Sequence, residues 1–203
     1  MAGFMETLRE QRWDDHRYYH HSRINQALHF VSAVSFVIAY GMLFYDPPMA
    51  ALIAWIIGMC TRQSGHFFFE PHDYDHVNQA THEHKEEIKV GYNLFRKAVL
   101  MAIWAVLPLI VLLDPTVGGL LAPYEGWIGF ARQVGTIWLA LGISGVLFRV
   151  VQLFFIQDVK AGLVWAFKIL TDPFHDIKLY HKAPLALLRG ELIDPEIASH
   201  RPH

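Results

Sequence analysis

Cysteine is nearly absent: Cys60 is the single thiol in 203 residues, and it lies inside an apolar run. With no second cysteine no disulfide can close within the chain, so thiol content points to no redox compartment. An excess of positive charge is missing too. Seventeen Lys and Arg stand against 19 Asp and Glu, a net charge of -2, which argues against nucleic acid as a partner, since duplex binding relies on a basic face. The opening stretch, MAGFMETLREQRWDDHRYYHH, has no apolar core followed by small residues. No removable signal peptide is expected from it.

What is abundant is apolar residues and histidine. Hydrophobic residues make up 53% of the chain, and mean hydropathy is +0.24, above the usual soluble fraction. Residues 27–45 carry no Asp, Glu, Lys or Arg and end at Asp46-Pro47-Pro48. A second run covers 49–69, a third 94–113, and a fourth 134–156, interrupted only by Arg149 and Gln152. These lengths are close to the roughly 20 residues a helix needs to cross the hydrocarbon core. Residues 117–130 are apolar but broken by four glycines and Pro123, so an interfacial or re-entrant loop is expected there. The expected fold is all-α: one membrane-embedded catalytic domain over residues 1–203, with about four transmembrane helices and an amphipathic cytoplasmic tail over 157–203. A homo-oligomer is compatible with this.

Loop charge orients the spans, because Lys and Arg accumulate on the cytoplasmic side. Arg9, Arg12, Arg17 and Arg23 precede the first run; Arg62, Lys85, Lys89, Arg96 and Lys97 follow the second; Lys160, Lys168, Lys178, Lys182, Arg189 and Arg201 occupy the tail. The opposite side has only Arg132. Both termini and the central loop are therefore expected in the cytoplasm, the membrane being a bacterial inner membrane or, in a eukaryote, the endoplasmic reticulum.

Eleven of the 13 histidines fall in three stretches that abut this side: His16, His20, His21 and His29; His66, His72, His76, His82 and His84; His175 and His181. Imidazole is the commonest metal ligand, and polar groups at membrane depth are costly unless they serve a site. At about 100° per residue, His21, Asn25 and His29 form one helical stripe entering the first run. His66 and Glu70 are likewise one turn apart, and Gly65 lets another backbone come close. Two histidines and a carboxylate with open positions suit a non-haem iron(II) oxygenase. His72, His76, His82 and His84, with the carboxylates between Asp73 and Glu87, are either further ligands or a solvated charged face. Arg149, inside the fourth run, either snorkels to the interface or holds a fatty acid carboxylate.

Tyr19-His20-His21-Ser22-Arg23-Ile24-Asn25-Gln26-Ala27-Leu28-His29 and Gly65-His66-Phe67-Phe68-Phe69-Glu70 together resemble the 2-hydroxy fatty acid dioxygenase family. Its Tyr-His-His-x3-Asn-x3-His and Gly-His-x2-Phe-Glu motifs match here without a gap. The resemblance implies a membrane enzyme that uses Fe(2+) and dioxygen to shorten a 2-hydroxy fatty acid by one carbon. His20 or His21, His29 and His66 would hold iron, and Glu70 would be a ligand or would orient one. Iron would bind the 2-hydroxyl and carboxylate, then dioxygen, and the C1–C2 bond would break. The chain departs from the family pattern after Glu70, where a His/Asp/Glu segment replaces a basic, proline-containing one, and in a shorter gap between motifs.

Two other classes share some of these features. A di-iron membrane hydroxylase or desaturase also clusters histidines at the ends of four spans, but it favours HxxxH and HxxHH boxes. His72-x3-His76 has the first spacing, and no HxxHH occurs. A haem b protein would need histidines well inside facing spans, where only His29 is so placed and no second run carries one near its middle, and a transporter would need polar residues near mid-span, which are scarce.

Overall fold

A computed structural model describes residues 3–70, 73–76, 78–88, 90 and 94–195; His72 lies outside them. α1 (Phe4–Tyr19) ends at His20, and α2 (Arg23–Met42) begins at once, because Ser22 is extended and its hydroxyl accepts from the Ile24 amide at 3.2 Å. That side-chain bond satisfies an amide which a helix start leaves without a partner. The far turn follows the same logic. Asp46 accepts from the Met49 amide, and Pro47 and Pro48 open α3 (Pro47–Leu52), where a missing N–H costs nothing. α3 runs through a π-helical segment (Ile53–Met59) into α4 (Cys60–Phe68), so the second apolar run is one helical rod with a local change of register.

α5 (His82–Ile88) is short, and α6 (Leu94–Leu113) occupies the third run with the expected bounds. α7 (Gly126–Ile156) starts eight residues before the expected 134. The glycine-rich stretch therefore divides: 114–125 turns, and 126–130 already belongs to α7. Glycine breaks a helix only by propensity, about 1 kcal/mol each, and Gly129 and Gly135 sit where bulk is unwelcome. A Cβ on Gly135 would lie 2.3 Å from the Pro48 carbonyl oxygen, so that glycine lets α7 press against α3. Trp55, Trp104 and Trp138 join the π segment, α6 and α7, with the Trp138 indole donating to the Trp104 carbonyl at 3.2 Å.

The expected tail is a structural element in its own right. α8 (Val159–Tyr180), capped by Asp158, packs on α1, α2 and α7, and α9 (Ala183–Leu188) packs on the start of the bundle against α2. Asp194 then accepts from Arg23 and Gln26 at 2.9 and 2.7 Å, clipping the end of the described chain to α2.

Among the described residues three helices are long and apolar enough to cross a membrane: α2, α6 and α7. Among the described residues there is no strand, only isolated bridges. α2 is polar on its inner face, where Asn25, Gln26, His29, Ser32 and Ser35 are buried, while Val31 and Ile38 are 42% and 52% exposed. Apolar side chains outward and polar ones inward is the distribution a lipid solvent favours.

Candidate metal centre

His20, His29 and His66 are buried, and one ring nitrogen from each lies within 4.8 Å of the others. Three elements bring them together. His20 is the residue that ends α1, His29 is two turns into α2, and His66 is in the last turn of α4. Ring centroids are 4.2 Å apart for His20–His29, 4.9 Å for His29–His66 and 5.5 Å for His20–His66.

The hydrogen bonds decide which nitrogens are bare. His20 Nδ1 faces the Asp15 carbonyl at 2.8 Å, and a carbonyl only accepts, so Nδ1 carries the proton and Nε2 presents a lone pair. His66 Nδ1 donates to Glu70 at 2.7 Å, so its proton sits on Nδ1 and its lone pair on Nε2. His20 Nε2 and His29 Nε2 face one another at 3.2 Å. His29 Nδ1 is buried with no hydrogen-bond partner, and Asp176 Oδ2 lies 3.9 Å from it. Protonating His29 at Nε2 would turn a bare Nδ1 toward a carboxylate; protonating it at Nδ1 would set two bare Nε2 atoms against each other. A cation between them removes the conflict. Two nitrogens about 2.1 Å from one ion and 3.2 Å apart subtend about 100° there, between octahedral and tetrahedral angles. The donor set fits a divalent metal.

Burial, reinforced by the neighbouring His29, pushes His20 well below the ordinary histidine range. Neutral imidazole is the form that ligates. His16, whose Nδ1 lies 3.1 Å from the Tyr180 hydroxyl, is lowered to about 4 by burial, against an opposing pull from Asp194. Around the triad α1, α4 and α8 supply matched charges. Lys168 bonds Asp15 and, at 2.7 Å, Asp172; Arg12 meets Asp172 at 3.0 Å; Arg62 meets Asp176 at 2.9 Å. Burial alone would lower Lys168, but Asp15 and Asp172 outweigh it and raise its pKa. These side chains, with His20, His175 and Tyr180, line a cavity of about 10 Å³, about the room of one water.

The other candidates fall elsewhere. His21 precedes the Ser22 cap, so the His21–Asn25–His29 stripe loses its first member; His21 Nε2 contacts the Arg17 carbonyl and lies 3.5 Å from Asp75. His20, carried on the end of α1, takes the place beside His29. Asn25 donates to the Tyr19 carbonyl at 2.7 Å, and its Oδ1 presses on Gly65, where a Cβ would lie only 2.1 Å away. The group that Gly65 admits is thus a side chain and not a backbone. Glu70 is 4% exposed and accepts from His66 Nδ1. His76 is exposed and meets Tyr74 edge-on, and His84 is exposed. His82 is half-buried in a groove with Phe67, Glu83, Glu86, Leu94, Phe95 and Ala98. His181 is exposed and meets the Lys178 carbonyl. Arg149 is buried and donates to Gln152 and to the Val90 carbonyl, each at 2.6 Å; it does not line the cavity at His20.

Sequence reasoning missed the α8 residues. Their signal was present: Lys168, Asp172, Asp176 and Tyr180 recur every fourth position, one polar stripe along the helix. The class defined by fold and site is a helical protein with membrane-spanning candidates and a buried three-histidine centre. Comparison with protein-family models, curated proteins and solved structures gives no match.

Proposed function

We propose that the chain is an iron(II)-dependent membrane oxygenase acting on fatty acyl substrates, with oxidative C1–C2 cleavage of 2-hydroxy fatty acids as its reaction. The observation that carries this is the convergence of His20, His29 and His66, with Glu70 behind His66. Three neutral imidazoles leave coordination positions open, which substrate and dioxygen need. Iron(II) bound there would supply the one-electron chemistry that lets dioxygen react with a carbon chain. The protein's own part is positional: His20, His29 and His66 hold the ion, and the Asp15 carbonyl and Glu70 fix two of the rings. Burial of all three histidines keeps bulk water away.

Support for one ion rather than two comes from the histidines themselves, which form one such group among the described residues. Support for an acyl substrate comes from a groove that Phe67, the residue after His66, helps to line. Phe67, Leu94, Phe95 and Ala98 form its apolar part and His82, Glu83 and Glu86 its polar part, and it measures about 540 Å³, within the size of small-molecule sites. We take the rod over 47–68 as a fourth crossing and, from the Lys and Arg distribution, the site as cytoplasmic.

Incubating anaerobically purified, iron-loaded protein with 2-hydroxypalmitate and oxygen should yield the acid one carbon shorter. His29→Ala and His66→Ala should abolish turnover. Unchanged substrate would defeat the proposed reaction, and about two irons per chain would favour the di-iron class. Three imidazoles also suit zinc and an activated water; hydrolysis of an acyl ester by the zinc-loaded protein would favour that second reading.

A further inference from the structure

Two of the three clustered imidazoles have an acceptor on Nδ1, and each comes from a different element. The Asp15 carbonyl of α1 takes His20, and Glu70, just past α4, takes His66. His29 alone has none, although it is fully buried and its Nδ1 makes no hydrogen bond. Asp176 of α8 stands 3.9 Å from that atom, about one ångström beyond hydrogen-bond distance, and its carboxylate is held by Arg62 of α4 at 2.9 Å.

We propose that Asp176 is the positioning residue for His29, accepting its Nδ1 proton when the triad binds a divalent cation. The reason is chemical. An ion that takes the lone pair of His29 Nε2 forces the proton onto Nδ1 and makes it a stronger donor, and Asp176 is the anionic acceptor facing it. Acceptors behind metal-bound imidazoles fix ring orientation and raise basicity, and removing one commonly costs 10–100-fold in metal affinity. α8 would then be part of the metal site, not a cover over it. This inference rests on reading the triad as a metal site and is independent of the reaction proposed above.

The test uses the full-length protein in detergent, stripped of metal and titrated with Co(2+), with affinity and the cobalt d–d absorption as readouts. Asp176→Asn keeps the shape and removes the anion; it should weaken Co(2+) binding about 10–100-fold and shift the d–d bands. Arg62→Gln breaks the same ion pair but leaves the carboxylate, and should change affinity less than about threefold. Equal losses in the two variants would mean that the ion pair acts only through structure, and unchanged affinity in Asp176→Asn would show that His29 needs no such acceptor; either overturns the inference. If the wild-type protein binds no Co(2+), the metal reading falls as well. Binding of about one Co(2+) with an indifferent Asp176→Asn would sink this inference alone.

Discussion

At the scale of single residues, the site depends on how closely α2 and α4 can approach. Gly65 is where they meet: a Cβ there would fall 2.1 Å from Asn25 Oδ1 and 3.4 Å from His29 Cδ2. Gly65→Ala must push Asn25, and His29 with it, away from His66. We expect a loss of about 1–3 kcal/mol in stability, the usual cost of overpacking, and weaker metal binding; thermal melts and a Co(2+) titration of the variant check both. An unaltered titration would mean that His29 does not depend on this contact. His29, His66 and Glu70 were legible in the sequence, because helical spacing alone puts such residues on shared faces. The choice between His20 and His21 was not. It turns on the Ser22 cap, which interrupts the helix and changes the direction in which each ring projects.

At the scale of elements, α8 was the unread part. Its apolar residues and scattered charges read as a surface helix, yet Lys168, Asp172 and Asp176 all find partners on α1 or α4. A charge in a low-dielectric place is tolerated only when paired, so the stripe implied a partner element without naming it. His16 and Tyr180 form another α1–α8 link, and it carries a pH signature. His16 stays neutral to about pH 4 in the folded chain, whereas an unfolded histidine takes its proton near 6.5. Between those values the unfolded state binds the extra proton, so stability must fall as pH drops from about 6.5 toward 4, by up to about 3 kcal/mol from this group. His16→Gln should flatten that decline. Melting temperatures of both proteins between pH 7 and 4.5 provide the check, and parallel curves would remove His16 from the account.

At the scale of the whole molecule, α6 and α7 present mostly apolar side chains outward, with Val111 the single buried residue of α6. Water would not tolerate such surfaces on a lone chain, and a bilayer would. The proposed orientation can be tested with Cys60→Ser as background and single cysteines at the exposed positions Glu10 and Glu125. In intact cells a membrane-impermeant maleimide should label position 125 and reach position 10 only after permeabilisation; labelling of both from one side would sink the topology. The sequence by itself determined that apolar helices dominate, that basic residues crowd one set of ends, and that two histidine motifs share those ends. These follow from local composition and period, which need no partner. Only the tertiary structure decided that His20 joins the triad, that α7 absorbs glycines expected in a loop, and that α8 delivers the carboxylate facing His29. Each is a contact between segments distant in the chain, where cap geometry, steric room and charge pairing decide what periodicity cannot.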